Sequence, residues 1–406
     1  MAGGNELVRE RIVFHIAGYE NVPASRAYDR FVRELQRFKR TWSVDAEASK
    51  PEFSFDQAAW DIETKGPNWS VTTHYHLARW DDLIGPALAV PMWRWLSCGL
   101  FAIGHFFWHG VLFAYLRTNW RYAIFFIYPL ALFAGIVLLA VTGGWLATSL
   151  SGSLWLGLVV ACVAFPLFAH LGKKIFLLHH LFADWIFSVD YLRRGDPELG
   201  ARLDQLADRF ISVAVAETAD EIVVIGHSLG AVLAIELFDR VVQKGAELGK
   251  LRTRSAVLSI GSSILKIGLH PGARDFRAAT FRVASNEAIF WADFQARIDI
   301  MNFFRTEPLP AMGLPDIGKP VVRHVSIRRM LTPKEFRRIW RNFFRIHRQF
   351  ISGNDLRNAY DYYMFVCGPF SAEALATSAE GAVTLLDAAG ALPATTTSQQ
   401  PEASPP

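Results

Sequence analysis

Two hydrophobic periodicities and one long apolar stretch divide this chain. Residues 11–15 (RIVFH) form a short apolar run that predicts a buried strand, ending in the loop HIAGYE. In the following SRAYDRFVRELQRF the apolar positions recur at helical spacing, so a helix is expected there. Between 42 and 78 the segments WSVDAEA, AAWDIET and NWSVTTHYHLA alternate apolar and polar residues between Pro- and Gly-containing turns, which predicts further strands or a hairpin. After residue 195 the pattern reads helix (ARLDQLADRFISVAVAE), strand (EIVVI), sharp turn, helix (AVLAIELFDRVVQ). RSAVLSIGSS, TFRVASN and KPVVRHVSIRRM are read as later strands, and PKEFRRIWRNFFRIHRQF as a helix. Strands alternating with helices predict an α/β class with a mostly parallel sheet and flanking helices.

The apolar stretch changes that picture. From Tyr122 to Gly172 there is no Asp, Glu, Lys or Arg, a length that accommodates two spanning helices joined near TSLSGS. A transmembrane hairpin inserted in the α/β domain is expected. Arg117 and Arg121 precede it, and Lys173 and Lys174 follow it, so the positive-inside rule places both outer ends in the cytoplasm. Residues 95–116 are also uncharged, but His105, His109 and several glycines suit an interfacial or re-entrant segment better. A third crossing would put the two halves of the α/β domain on opposite sides of the bilayer. Residues 174–193 mix aromatics with scattered charge and read as a helix at the membrane surface, where His179 and His180 are interfacial groups rather than metal ligands. The resulting organisation is an N-terminal part of the α/β domain (1–92), a membrane insertion (93–194), a C-terminal part of the α/β domain (195–370), and a terminal helix and tail (371–406). From Leu392 the tail is Pro-, Ser- and Thr-rich and expected to be disordered.

Composition agrees with this division. The 406 residues are 51% hydrophobic and include 31 Phe, with the excess concentrated between about 95 and 190. A net charge of +4 with no basic run interleaved with aromatics argues against nucleic acid as a partner, whereas a weakly basic face suits anionic lipid. Cys98, Cys162 and Cys367 lie far apart and fit small buried hydrophobes better than disulfides or metal ligands. The N-terminus lacks a basic region leading into an apolar core, so no cleaved secretion signal is expected. No HExxH, CxxC, Walker A or GxGxxG motif occurs, and no metal or cofactor is proposed.

Candidate chemistry centres on Gly226-His227-Ser228-Leu229-Gly230, a G-x-S-x-G pentapeptide between an apolar strand and an amphipathic helix. Such a turn holds the serine strained, with its hydroxyl projecting from the sheet, and small flanking residues let strand and helix approach. Here the chain resembles the α/β-hydrolase superfamily, in particular its lipase- and esterase-like members, over roughly 10–90 and 195–370. The resemblance implies a nucleophilic serine, an acid and a histidine in that chain order, with an oxyanion hole of two backbone N–H groups. Leu229 would supply one of these. His15-Ile16-Ala17-Gly18-Tyr19 looks like the His-Gly loop of the superfamily with two residues inserted, so the second donor would be Gly18 or Tyr19.

For the acid, the passage Trp291 to Asp299 resembles the W-x-N-x-Y-x-x-x-D ending of a late strand in lipase-like hydrolases, with Asp293 at the Asn position and Gln295 at the Tyr position. Asp299 is preferred, followed by Asp293 and then Asp275. Only His324 and His347 lie beyond Asp299. His324 sits inside the expected strand VVRHVSI, whereas His347 lies close to an expected loop. In a helix over 334–348, Phe336, Trp340, Phe343 and His347 would share one core-facing side, so His347 is preferred. The opposite face carries Arg337, Arg341, Arg345 and Arg348, suited to solvent or to anionic headgroups.

Together these readings predict a membrane-anchored serine hydrolase of carboxylic esters, a lipid or small-molecule ester being the expected partner. Acyl transfer or thioester hydrolysis would use the same residues. A catalytically silent membrane scaffold is the alternative outside enzymology. A transport role fits poorly, because the two spans carry no intramembrane charge.

Overall fold

The computed structural model describes residues 7–193, 195–216 and 218–393. Nine strands form one sheet: β1 (Glu10–Ile16), β2 (Asp45–Ala48), β3 (Glu52–Phe53), β4 (Gln57–Lys65), β5 (Ser70–Ala78), β6 (Glu221–His227), β7 (Arg254–Ile260), β8 (Ile289–Ala296) and β9 (Val321–Val325). The order is β2-β4-β5-β1-β6-β7-β8-β9, with β3 on β4. From β5 to β9 every pairing is parallel, while the β2, β3 and β4 edge is antiparallel. The central strands are buried on both faces, which explains why RIVFH and EIVVI read as unbroken apolar runs.

Alternation along those strands divides two cores. Ile12, Phe14 and Ile16 of β1 and Ile222 and Val224 of β6 face one layer, and Val13, Val223 and Ile225 face the other. Helix α1 (Ala24–Trp42) packs Phe31, Leu35, Phe38 and Trp42 into the second layer. Each large apolar side chain buried in this way contributes roughly 1.5–3 kcal/mol.

The first layer holds the helices that follow β5 in the chain. These include α2 (Met92–Trp108), α3 (Trp120–Ser151), α4 (Leu154–Phe176), α5 (Leu178–Arg193) and α6 (Pro197–Val215). Helices α3 and α4 are long and apolar enough to cross a membrane, and most side chains along them face outwards. Their backbones approach closely at the far end, where a Cβ on Gly157 would lie 2.6 Å from the Gly144 carbonyl oxygen. The first two turns of α3 differ from the rest: Tyr122, Ala123, Phe125 and Phe126 are buried in the core beneath the sheet.

Three expected elements take another form. TFRVASN is the end of α8 (Arg274–Ser285), with Asn286 as its C-cap; this helix comes after α7 (Gly230–Gln243) in the chain. Phe276, Ala279, Thr280, Val283 and Ala284 are its buried positions, a helical spacing that the apparent alternation of the heptapeptide concealed. KPVVRHVSIRRM is a strand only over Val321–Val325 and then turns into a short helix, Ile327–Met330. The helix expected over 334–348 is broken into Pro333–Ile339 and α9 (Phe343–Arg348), because the Asn342 side chain accepts the Arg345 N–H and caps a new helix. Trp340 is consequently half exposed instead of sharing a buried face with His347. The part of the proline-rich tail beyond residue 393 lies outside the described residues.

Candidate active site

Ser228 stands between β6 and α7 with φ of +56°, a left-handed conformation rarely taken by a non-glycine residue. The flanking glycines leave no room for a side chain. A Cβ on Gly226 would lie 2.4 Å from Ala231 Cα, and one on Gly230 would lie 2.1 Å from the Ile16 carbonyl oxygen. The second contact ties the start of α7 to the loop after β1. In that loop Gly18 abuts the serine, a Cβ there falling 2.9 Å from Ser228 Cβ and 3.5 Å from its Oγ. Gly18, Tyr19, Ser228 and His347 all line one pocket of about 470 Å³. Leu229 is buried at the first position after the turn, as the cap of α7.

His347 projects from α9 and is buried. Its Nδ1 is 2.7 Å from Asp299 Oδ2, and its Nε2 has no hydrogen-bond partner among the described residues. Asp299 lies just past β8, also buried, and its Oδ1 accepts the Met301 N–H at 2.9 Å. Asn302 Nδ2 holds the turn by donating to the Ala296 and Asp299 carbonyls. A carboxylate on Nδ1 fixes the tautomer with the proton on that nitrogen, leaving a lone pair on Nε2.

The other candidates stand apart from this group. Asp293 points from β8 to Ser259 Oγ at 2.5 Å and Gln295 Nε2 at 2.8 Å, and burial pushes its carboxyl up to about 6. Asp275 is exposed in the first turn of α8. His324 is exposed on β9, its ring 4.9 Å from that of Phe304.

Several neighbours take places around the site that the sequence did not indicate. The His227 ring packs 4.6 Å from the His347 ring, and burial holds it well below the usual histidine range and therefore neutral. Ser263 Oγ lies 3.5 Å from Ser228 Oγ. Asp184 of α5 lines the pocket and is paired at 2.6 Å with buried Lys266, whose ammonium also sits 4.2 Å from the centre of the Trp185 ring. Behind the loop, His15 is hydrogen-bonded to the Tyr362 hydroxyl, and burial pushes its imidazole down to about 3. The G-x-S-x-G spacing, the loop after β1 and the chain order of acid and histidine are legible beforehand; these contacts join side chains 35 to 347 residues apart.

The His105, His109 and His270 ring nitrogens lie within 4.8 Å of one another, the only such metal-compatible group found among the described residues. No family model matches this chain, and neither a curated protein nor a solved structure matches it significantly.

Proposed function

We propose that the protein is a membrane-anchored serine hydrolase of the α/β-hydrolase type that cleaves a carboxylic ester, a lipid ester in particular, through an acyl-enzyme. The observation that carries this reading is the pairing of His347 with Asp299, with an unpartnered Nε2 in the pocket that also holds the strained Ser228. In this reading Ser228 Oγ attacks the ester carbonyl while His347 Nε2 takes its proton. The imidazolium is stabilised by Asp299, and the tetrahedral oxyanion is received by the N–H of Leu229 and one from Gly18 or Tyr19. Collapse breaks the carbonyl to alkoxy bond, and the proton on Nε2 passes to the departing alcohol. Water, deprotonated by the same nitrogen, then releases the acid and restores Ser228. A scaffold without catalysis would have no need for a strained serine beside a paired histidine.

Anchoring is assigned to α3 and α4, and the basic residues 117, 121, 173 and 174 at their outer ends assign the catalytic side to the cytoplasm. The test is labelling of the membrane-inserted protein by a small fluorophosphonate probe. Wild type is expected to label at Ser228 and Ser228→Ala not at all, with turnover of a short-chain nitrophenyl ester lowered at least about a thousand-fold. Equal labelling or turnover in the variant would remove the hydrolase reading.

A further inference from the structure

We infer that the substrate is a lipid ester drawn directly from the bilayer, its acyl chain lying in a groove between α3 and α4 with its carbonyl at Ser228. The inference rests on the serine-hydrolase reading above and adds to it the route of the substrate and the seat of its acyl chain.

The catalytic pocket is not walled by the sheet domain alone. Phe125 of α3, Leu177 between α4 and α5, and Leu181 of α5 line it together with Ser228 and His347. The two outer ends of the hairpin therefore form part of the pocket. A second, strongly apolar groove of about 510 Å³ begins one turn further along α3, lined by Tyr128, Leu132, Gly135 and Leu139 with Phe168 and Leu171 of α4. Those α3 positions follow one another at i, i+4, i+7 and i+11, so they form a single stripe. One side chain of α9 touches both linings: the Phe343 ring, four residues before His347, lies 6.0 Å from that of Phe125 in the pocket wall and 5.4 Å from that of Tyr128 at the start of the groove.

The depth of the groove follows from helix geometry. Because α3 buries its first two turns in the core, its membrane portion starts near Tyr128, and Leu139 lies about 16 Å beyond it along the helix. That distance covers the near half of a hydrocarbon layer roughly 30 Å thick. A groove of this polarity at this depth faces acyl chains and no water. A chain lying in it exchanges one apolar surrounding for another, while its carboxylic end is already at the level of the pocket.

Gly135 supplies the experiment, because a Cβ there would meet no atom within 4 Å. Gly135→Phe sets a bulky ring on the groove stripe at a position open to a Cβ and replaces a poor helix former. Full-length protein in lipid nanodiscs is assayed with nitrophenyl butyrate and nitrophenyl palmitate. Gly135→Phe is expected to keep butyrate kcat/KM within about two-fold and to lower palmitate kcat/KM at least about ten-fold. Unchanged palmitate turnover, or an equal loss of both with fluorophosphonate labelling intact, overturns the groove and leaves the hydrolase reading standing. Failure of Ser228→Ala to abolish turnover removes the hydrolase reading instead. If Gly135→Phe fails to fold, a long-chain fluorophosphonate with a terminal diazirine, applied to wild type, decides the matter. Crosslinks within 128–139 or 168–172 support the groove, and crosslinks confined elsewhere overturn it.

Discussion

The His347 imidazole and the Asp299 carboxylate are separated by 48 residues of chain and by 2.7 Å in space, and both are buried. Asp299→Asn keeps the shape of the side chain but removes the charge that orients the ring. We expect kcat for a nitrophenyl ester to fall about a thousand-fold or more, with KM little changed. Asp293→Asn, which touches Ser259 and Gln295 instead, should stay within a few-fold of wild type. Steady-state kinetics on the two purified variants checks the ranking, and its reversal would transfer the acid to Asp293.

The two late histidines should differ as sharply. His347→Ala is expected to be nearly as damaging as Ser228→Ala, whereas His324→Ala, exposed against Phe304, is expected to be tolerated. Fluorophosphonate labelling rates provide the measurement. A fast-labelling His347→Ala protein would rule out that residue as the base.

Gly18→Ala tests the contact between the loop and the serine. The added methyl would stand 2.9 Å from Ser228 Cβ and 3.2 Å from the His227 carbonyl oxygen, so loop or elbow must shift. Turnover should drop about a hundred-fold or more, since oxyanion donors act only at correct range. Thermal stability should fall far less than in Gly230→Ala, whose methyl would collide with backbone at 2.1 Å. Parallel kinetics and melting curves separate the two effects.

Asp293 predicts a pH effect that is structural rather than catalytic. Burial raises its carboxyl from 3.8 in the unfolded chain to about 6 in the folded protein. The folded state therefore holds the proton more tightly, and this group's contribution to stability declines as pH rises between about 4 and about 6, then stays constant. Asp293→Asn lacks the ionisation penalty, so its Tm relative to wild type should rise from pH 4 to pH 7. A difference that stays flat or falls over that range would contradict the assignment.

Topology is checked with single cysteines in a Cys98→Ser, Cys162→Ser background. Lys50→Cys and Glu380→Cys, both on the exposed surface of the α/β domain, should react with an impermeant maleimide only from the cytoplasmic face. Ser151→Cys, exposed at the end of α3, should react only from the other face. Opposite-side results for positions 50 and 380 would contradict a domain whose β4 and β9 share one sheet.

Local pattern was enough to determine much of this protein. The apolar runs of β1 and β6, the alternation in β4 and β5, the uncharged stretch from 122 to 172 and the turn at Ser228 were legible because each depends on residues within one or two turns of chain. TFRVASN was misread because a heptapeptide does not distinguish a two-residue from a 3.6-residue period, and the cap at Asn342 was hidden inside an otherwise helical pattern. What only the tertiary structure decided is pairing at a distance. Asp299 and not Asp293 faces His347 because the turn beyond β8, held by Asn302, aims it there. The apolar helix α3 reaches the pocket wall because Tyr122, Phe125 and Phe126 bury themselves beneath the sheet. Such contacts arise when segments far apart in sequence pack into one core, and chain periodicity carries no record of which distant face a side chain will meet.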